Sequence, residues 1–200
     1  MNVFSLFENR NIEDIKLGVQ LIRTLGCEKE FEDYFGFPFY NLTKTIHFFD
    51  EYEIKNEINI LNKTISINGD LFLRGLQSVD KDFLKETTIN GNLWLDGLQS
   101  VDKDFLKETA INGNLSLSGL KVVDKDFLKE TVINGYLNLS RLQTVDKDFL
   151  EETTINGYLS LNGLQVVDKD FLKGTTINGS LGLNGLETVD KEIIRKNINK

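Results

Sequence analysis

The sequence predicts a repeat solenoid, a stack of short and near-identical coils behind a helical N-terminal cap. Three observations lead there. The tripeptide Ile-Asn-Gly begins at Ile67, Ile89, Ile111, Ile133, Ile155 and Ile177, each 22 residues after the last. Within every unit the apolar residues recur at fixed places. A unit of 22 residues is also too short to bury its own apolar face, so the copies must stack and share one core.

Counted from the isoleucine, the apolar residues of the second unit are Ile89, Leu93, Leu95, Leu98, Val101, Phe105 and Leu106. These and their equivalents are the expected core. Leu93 and Leu95 alternate with polar or variable neighbours in Asn92-Leu93-Trp94-Leu95-Asp96, the period of two that marks a strand with one buried face. One parallel strand per coil follows. The Asn-Gly ahead of it predicts a left-handed corner, because glycine takes positive φ without a steric penalty and asparagine tolerates it. After the strand, Val101-Asp102-Lys103-Asp104-Phe105-Leu106 and its equivalents offer an aspartate (Asp80, Asp102, Asp124, Asp146, Asp168, Asp190) to cap a single helical turn.

An open terminal coil would expose its interior to water, so residues 1–66 are expected to form a cap and a degenerate first coil. Ile12, Ile15, Val19, Ile22 and Leu25 fall at helical spacing, with Asn11 as N-cap and Gly26 as stop. A second short helix is expected across Lys29 to Phe35. Thr45 to Ser66 is expected to be a decayed coil, with Phe48, Phe49, Tyr52, Ile54, Ile58 and Ile60 closing the first true one. Residues 67–200 supply six coils and a short polar C-terminal cap, Arg195-Lys196-Asn197 onward. That weak cap is an expected point of self-association.

The pattern Leu-x-Leu-x-x-Leu-x-x-Val-Asp-x-x-Phe-Leu, from Leu115 to Leu128, resembles the leucine-rich repeat, most closely the bacterial BspA-like class. The resemblance spans about residues 67–194. It implies a leucine-rich-repeat-like solenoid with one strand per coil and short helical turns. It also implies a binding role, since members of that class are often surface or secreted adhesins. A two-sheeted parallel β-helix is the alternative reading of the same spacing.

Composition narrows the function classes. With 40% apolar and 27% charged residues among 200, the chain is able to bury a core. Its net charge of -8 opposes binding to phosphate backbones or anionic lipid surfaces. No stretch reaches the roughly 18 apolar residues of a membrane span. The first residues lack a basic region followed by an apolar core, and Cys27 is a single cysteine with no internal disulfide partner. The expected compartment is the cytoplasm.

The units differ from one another mostly at the three outward positions of the strand. Phe72 and Trp94 share one column, Tyr136 and Tyr158 the next, and Trp94 is the only tryptophan. Tyrosine and tryptophan carry contact energy at interfaces. The expected protein-binding face therefore comprises Phe72, Arg74, Trp94, Asp96, Tyr136, Asn138, Arg141 and Tyr158. The Asp-Lys-Asp rows read as solvated, since hard cations need oxygens converging on one point. His47 has no neighbouring Cys or Ser to make a nucleophile, and every unit repeats the same acids, whereas an active site is singular. No catalytic residue, metal site or cofactor is expected. The competing readings are a structural or self-assembling rod, an acidic nucleic-acid mimic, and a carbohydrate-active β-helix enzyme.

Overall fold

The structure, a computed structural model, describes residues 3–8, 11–36, 38–51, 57–61, 64–79, 83–124 and 126–186. A short 3-10 helix, Val3–Phe7, precedes three α-helices, α1 (Ile12–Leu25), α2 (Glu28–Phe35) and α3 (Phe39–Glu51). The predicted limits of α1 hold. The Asn11 side chain accepts the Glu13 N–H at 2.9 Å, and Gly26 ends the helix at φ 64. Gly36, at φ 75, ends α2 in the same way.

The third helix corrects the expected decayed coil. Phe39, Leu42, Ile46 and Phe49 recur at three- and four-residue steps and are buried together, which is a helical period. Its aromatic and β-branched residues are mediocre helix formers, so packing rather than propensity fixes the conformation. Tyr52 and Ile54, and the side chains of Phe48, Ile58 and Ile60, lie outside the described residues.

The described strands from Thr64 to Gly182 form a solenoid of parallel strands stacked 22 residues apart, as the sequence predicts. Each coil contributes two short strands rather than one. The first sheet runs β1 (Glu57–Leu61), β2 (Thr64–Asn68), β4 (Thr87–Ile89), β6 (Ala110–Ile111), β8 (Val132–Ile133), β10 (Thr154–Ile155) and β12 (Thr176–Ile177). The second runs β3 (Leu71–Phe72), β5 (Leu93–Trp94), β7 (Leu115–Ser116), β9 (Leu137–Asn138), β11 (Leu159–Ser160) and β13 (Leu181–Gly182). All pairings are parallel except β1 with β2, where an antiparallel strand closes the first sheet. The two-sheeted parallel β-helix fits this pairing. The extra strand lies just ahead of each Asn-Gly, a mostly β-branched pair (Ala110–Ile111 in β6) too short to display a period.

The core columns match the expected positions. Ile89, Leu93, Leu95, Leu98, Val101, Phe105 and Leu106 are all buried, and so are their equivalents through most of the stack. Phenylalanines stack along the axis, Phe83 on Phe105 at 5.9 Å and Phe149 on Phe171 at 6.1 Å.

Two corners depart from the expected chemistry. Of the Asn-Gly glycines, Gly69 takes positive φ at 86; those above it are needed instead for close approach, since a Cβ on Gly113 would lie 2.5 Å from the Gly91 carbonyl oxygen. The left-handed residues fall elsewhere. Asp104, Leu106 and Glu108 have φ of 63, 55 and 58, and this alternation replaces the expected helical turn with consecutive tight turns, such as Lys107 N–H to the Asp104 carbonyl at 3.0 Å. Of the aspartate caps, Asp168 accepts the Asp170 N–H at 2.9 Å. Asp80 and Asp190 lie outside the described residues.

Polar ladders tie the coils together. Asn90 donates to Asn68 at 2.9 Å and Asn112 to Asn90 at 2.8 Å, and the row continues to Asn178. Inside, Thr109, Thr131 and Thr153 donate their hydroxyls to the Leu84, Leu106 and Leu128 carbonyls at 2.8, 2.6 and 2.8 Å. Those threonines serve the backbone. The polar C-terminal cap, and with it the expected self-association through the last coil, lies outside the described residues.

Candidate functional site

Because strand residues alternate in direction, burying Leu93 and Leu95 forces Trp94 and its equivalents outward from the second sheet. Parallel stacking then sets each outward side chain over its counterpart 22 residues on, Phe72 opposite Trp94 and Trp94 opposite Ser116. Sequence differences between coils become a surface pattern. Three columns result, headed by Asp70, Phe72 and Arg74.

Four of the expected residues converge at the N-terminal end of this face. The Phe72 and Trp94 rings stack with centroids 4.6 Å apart and planes within 4°. The Arg74 guanidinium carbon lies 6.0 Å from the Phe72 centroid and 5.6 Å from that of Trp94, within cation–π range of both. Its Nε is 3.3 Å from Asp96 Oδ2. Asp96 in turn accepts the Ser118 hydroxyl at 2.7 Å, the Ser118 N–H at 3.4 Å and the Ser116 hydroxyl. Burial pushes the Asp96 pKa up and is the largest single influence. The hydrogen bonds from Ser116 and Ser118 and the charge of Arg74 together outweigh it, holding the carboxyl below its ordinary value. The group is a fixed anion beside a fixed cation.

Asn138 joins the same network, since its Nδ2 donates to the Ser116 hydroxyl at 3.3 Å and its Oδ1 accepts the Ser140 N–H at 3.1 Å. Tyr136 and Tyr158 form a second aromatic pair at 5.3 Å and 30°. Tyr158 lies across the next coil, and its hydroxyl fills the space a Cβ on Gly182 would need. This accounts for the glycine at that outward position. Arg141 stands apart. It is exposed, in the column that holds Gly97, Gly119 and Gly163 in other coils, and meets no polar partner among the described residues.

Sequence reasoning missed Ser116 and Ser118. They lock Asp96, and the signal was the register itself, since Ser118 follows Asp96 by 22 residues. Among the described residues no three His, Cys, Asp or Glu side chains gather to hold a metal ion, and no helix is long and apolar enough to cross a membrane. Comparison with protein-family models, curated proteins and solved structures finds no match.

Proposed function

We propose that this chain is a non-catalytic, leucine-rich-repeat-like interaction module that binds a protein partner on the outward face of its second sheet and works in the cytoplasm. One observation carries the reading. Phe72, which is 64% exposed, and Trp94 form a stacked aromatic platform whose cation and anion, Arg74 and Asp96, are already held in place. A preorganised platform loses little side-chain entropy when a partner lands on it, and aromatic residues with arginine dominate interface energetics. The single cysteine supports the compartment.

The experiment is affinity capture from cytosolic extract with wild type, a Trp94→Ser/Tyr136→Ser double variant, and Val132→Ser on the outward face of the first sheet as control. Circular dichroism establishes equal folding of all three. A stoichiometric partner held by wild type and the control but lost from the double variant is the expected result. Equal capture by all three excludes the face.

A further inference from the structure

The corner that follows the second sheet breaks the repeat in two neighbouring coils, and both breaks are cations. In five of the six coils the corner carries a glycine: Gly75, Gly97, Gly119, Gly163 and Gly185. None of these takes positive φ, so what they supply is space. A Cβ on Gly97, Gly119 or Gly163 would lie 2.5, 2.5 or 2.6 Å from the carbonyl oxygen of Leu76, Leu98 or Leu142 in the coil before. The fourth coil has Arg141 in that place. Its Cβ needs room that the other coils deny, and the chain beyond it is seated differently. The Gln143 N–H bonds the Lys121 carbonyl at 3.1 Å, a bond with no equivalent in the other described coils. Packing alone favours glycine here, and a local rule broken once in a regular scaffold points to a use for the side chain.

Lys121 is the second break, in a column that holds Gln77, Gln99, Gln143 and Gln165. The Gln143–Lys121 bond sets the two cationic stretches side by side. Both side chains are exposed, and among the described residues neither has an ion-pair or hydrogen-bond partner; Arg74, by contrast, is tied to Asp96. Residues 118–122, 140–144 and 162–166 hold no carboxylate, although the chain as a whole carries a net charge of -8. Asp124 and Asp146, the next acids along these coils, pair with neither cation. The same corner exposes Val122 by 58% and Val166 by 80%. We propose that Arg141 and Lys121 receive an acidic, partly apolar segment of a protein partner, with a carboxylate on the two cations and apolar side chains on Val122 and Val166. The planar guanidinium presents paired donors that match a carboxylate, and the ammonium adds a point charge beside it. The overall negative charge disfavours an extended polyanion such as nucleic acid.

The inference rests on the protein-binding reading for the class of partner and adds a contact outside the aromatic platform. Its test titrates the peptide Glu-Leu-Glu-Glu-Leu-Glu, or its counterpart Gln-Leu-Gln-Gln-Leu-Gln, into the purified full chain and follows backbone amide and arginine Nε–H signals by NMR. The acidic peptide should give saturating shifts centred on Lys121, Val122, Arg141 and Gln143, and the glutamine peptide none. Arg141→Gly and Lys121→Gln each restore the residue of the other coils. Arg141→Gly should raise the Kd for the acidic peptide about three- to tenfold while unfolding at the same or a higher urea concentration than wild type. Lys121→Gln should raise the Kd about two- to threefold. Absence of a saturating shift at these residues in wild type, equal shifts with the glutamine peptide, or an unchanged Kd in Arg141→Gly overturns the proposal. So does an Arg141→Gly that unfolds earlier than wild type, because the arginine would then be serving the fold. The peptide titration reads this corner, whereas capture by the platform is read through Trp94 and Tyr136, so either proposal fails without the other.

Discussion

Asp96 is held in its charged form by residues of two other coils, and that dependence is measurable. Its folded-state pKa lies below the ordinary value, so on acidification the unfolded chain takes up the proton first. The stabilisation is complete above the unfolded carboxylate pKa and is lost as pH falls through the folded one. Urea unfolding of wild type and Asp96→Asn at neutral and acid pH should therefore show a larger acid-induced loss in wild type; equal losses would remove Asp96 as the cause. A second residue-scale test concerns Glu130, held at φ 59. The left-handed region costs a side-chain-bearing residue about 1–2 kcal/mol, and the fifth equivalent of this position is Gly174, at φ 77. Glu130→Gly should gain about 0.5–1 kcal/mol after the added freedom of the unfolded chain is counted. Glu130→Ala should not gain, because it keeps the Cβ.

At the scale of the element, the strands are too short to stand by propensity and persist through cross-coil bonds. Thr131 is fully buried and donates to the Leu106 carbonyl of the coil before. Thr131→Val keeps the shape and removes one of the two bonds to that carbonyl, which still accepts the Thr109 N–H at 3.1 Å, so a loss of about 0.5–1.5 kcal/mol is expected in urea unfolding. Gly113→Ala tests close approach instead of hydrogen bonding. Its Cβ would overlap the Gly91 backbone, and about 1–3 kcal/mol should be lost. The same elements explain what was legible in the sequence. Leu93-x-Leu95 announced its strand because an alternating pair of leucines recurs, and α1 announced itself through Asn11 and Gly26. The strand Thr154–Ile155 was silent because two residues carry no period. The turns were misread for a different reason: nothing in Asp-Phe-Leu-Lys-Glu signals that Asp, Leu and Glu will adopt a conformation usual for glycine. In the candidate site, register alone placed Phe72 on Trp94 and Tyr136 beside Tyr158. The roles of Ser116 and Ser118 depended on side-chain reach between coils, which only coordinates supply.

For the whole molecule, a stack of equivalent coils behaves as a one-dimensional array in which each unit is stabilised by its neighbours. Excising residues 111–132 removes one full period and should leave a folded, shorter solenoid of lower stability, read by circular dichroism and urea unfolding. Excising half of that segment breaks the register of every later column and should abolish folding. The scaffold's regularity is also what makes the outward face legible, since variation there is not required by the core. The most direct measurement of that claim is the fluorescence of Trp94, the only tryptophan in the chain, during titration with the captured partner. A blue shift and protection from a soluble quencher, both saturating at one partner per chain, are the predicted result; emission and quenching unchanged at saturation would contradict binding at this face.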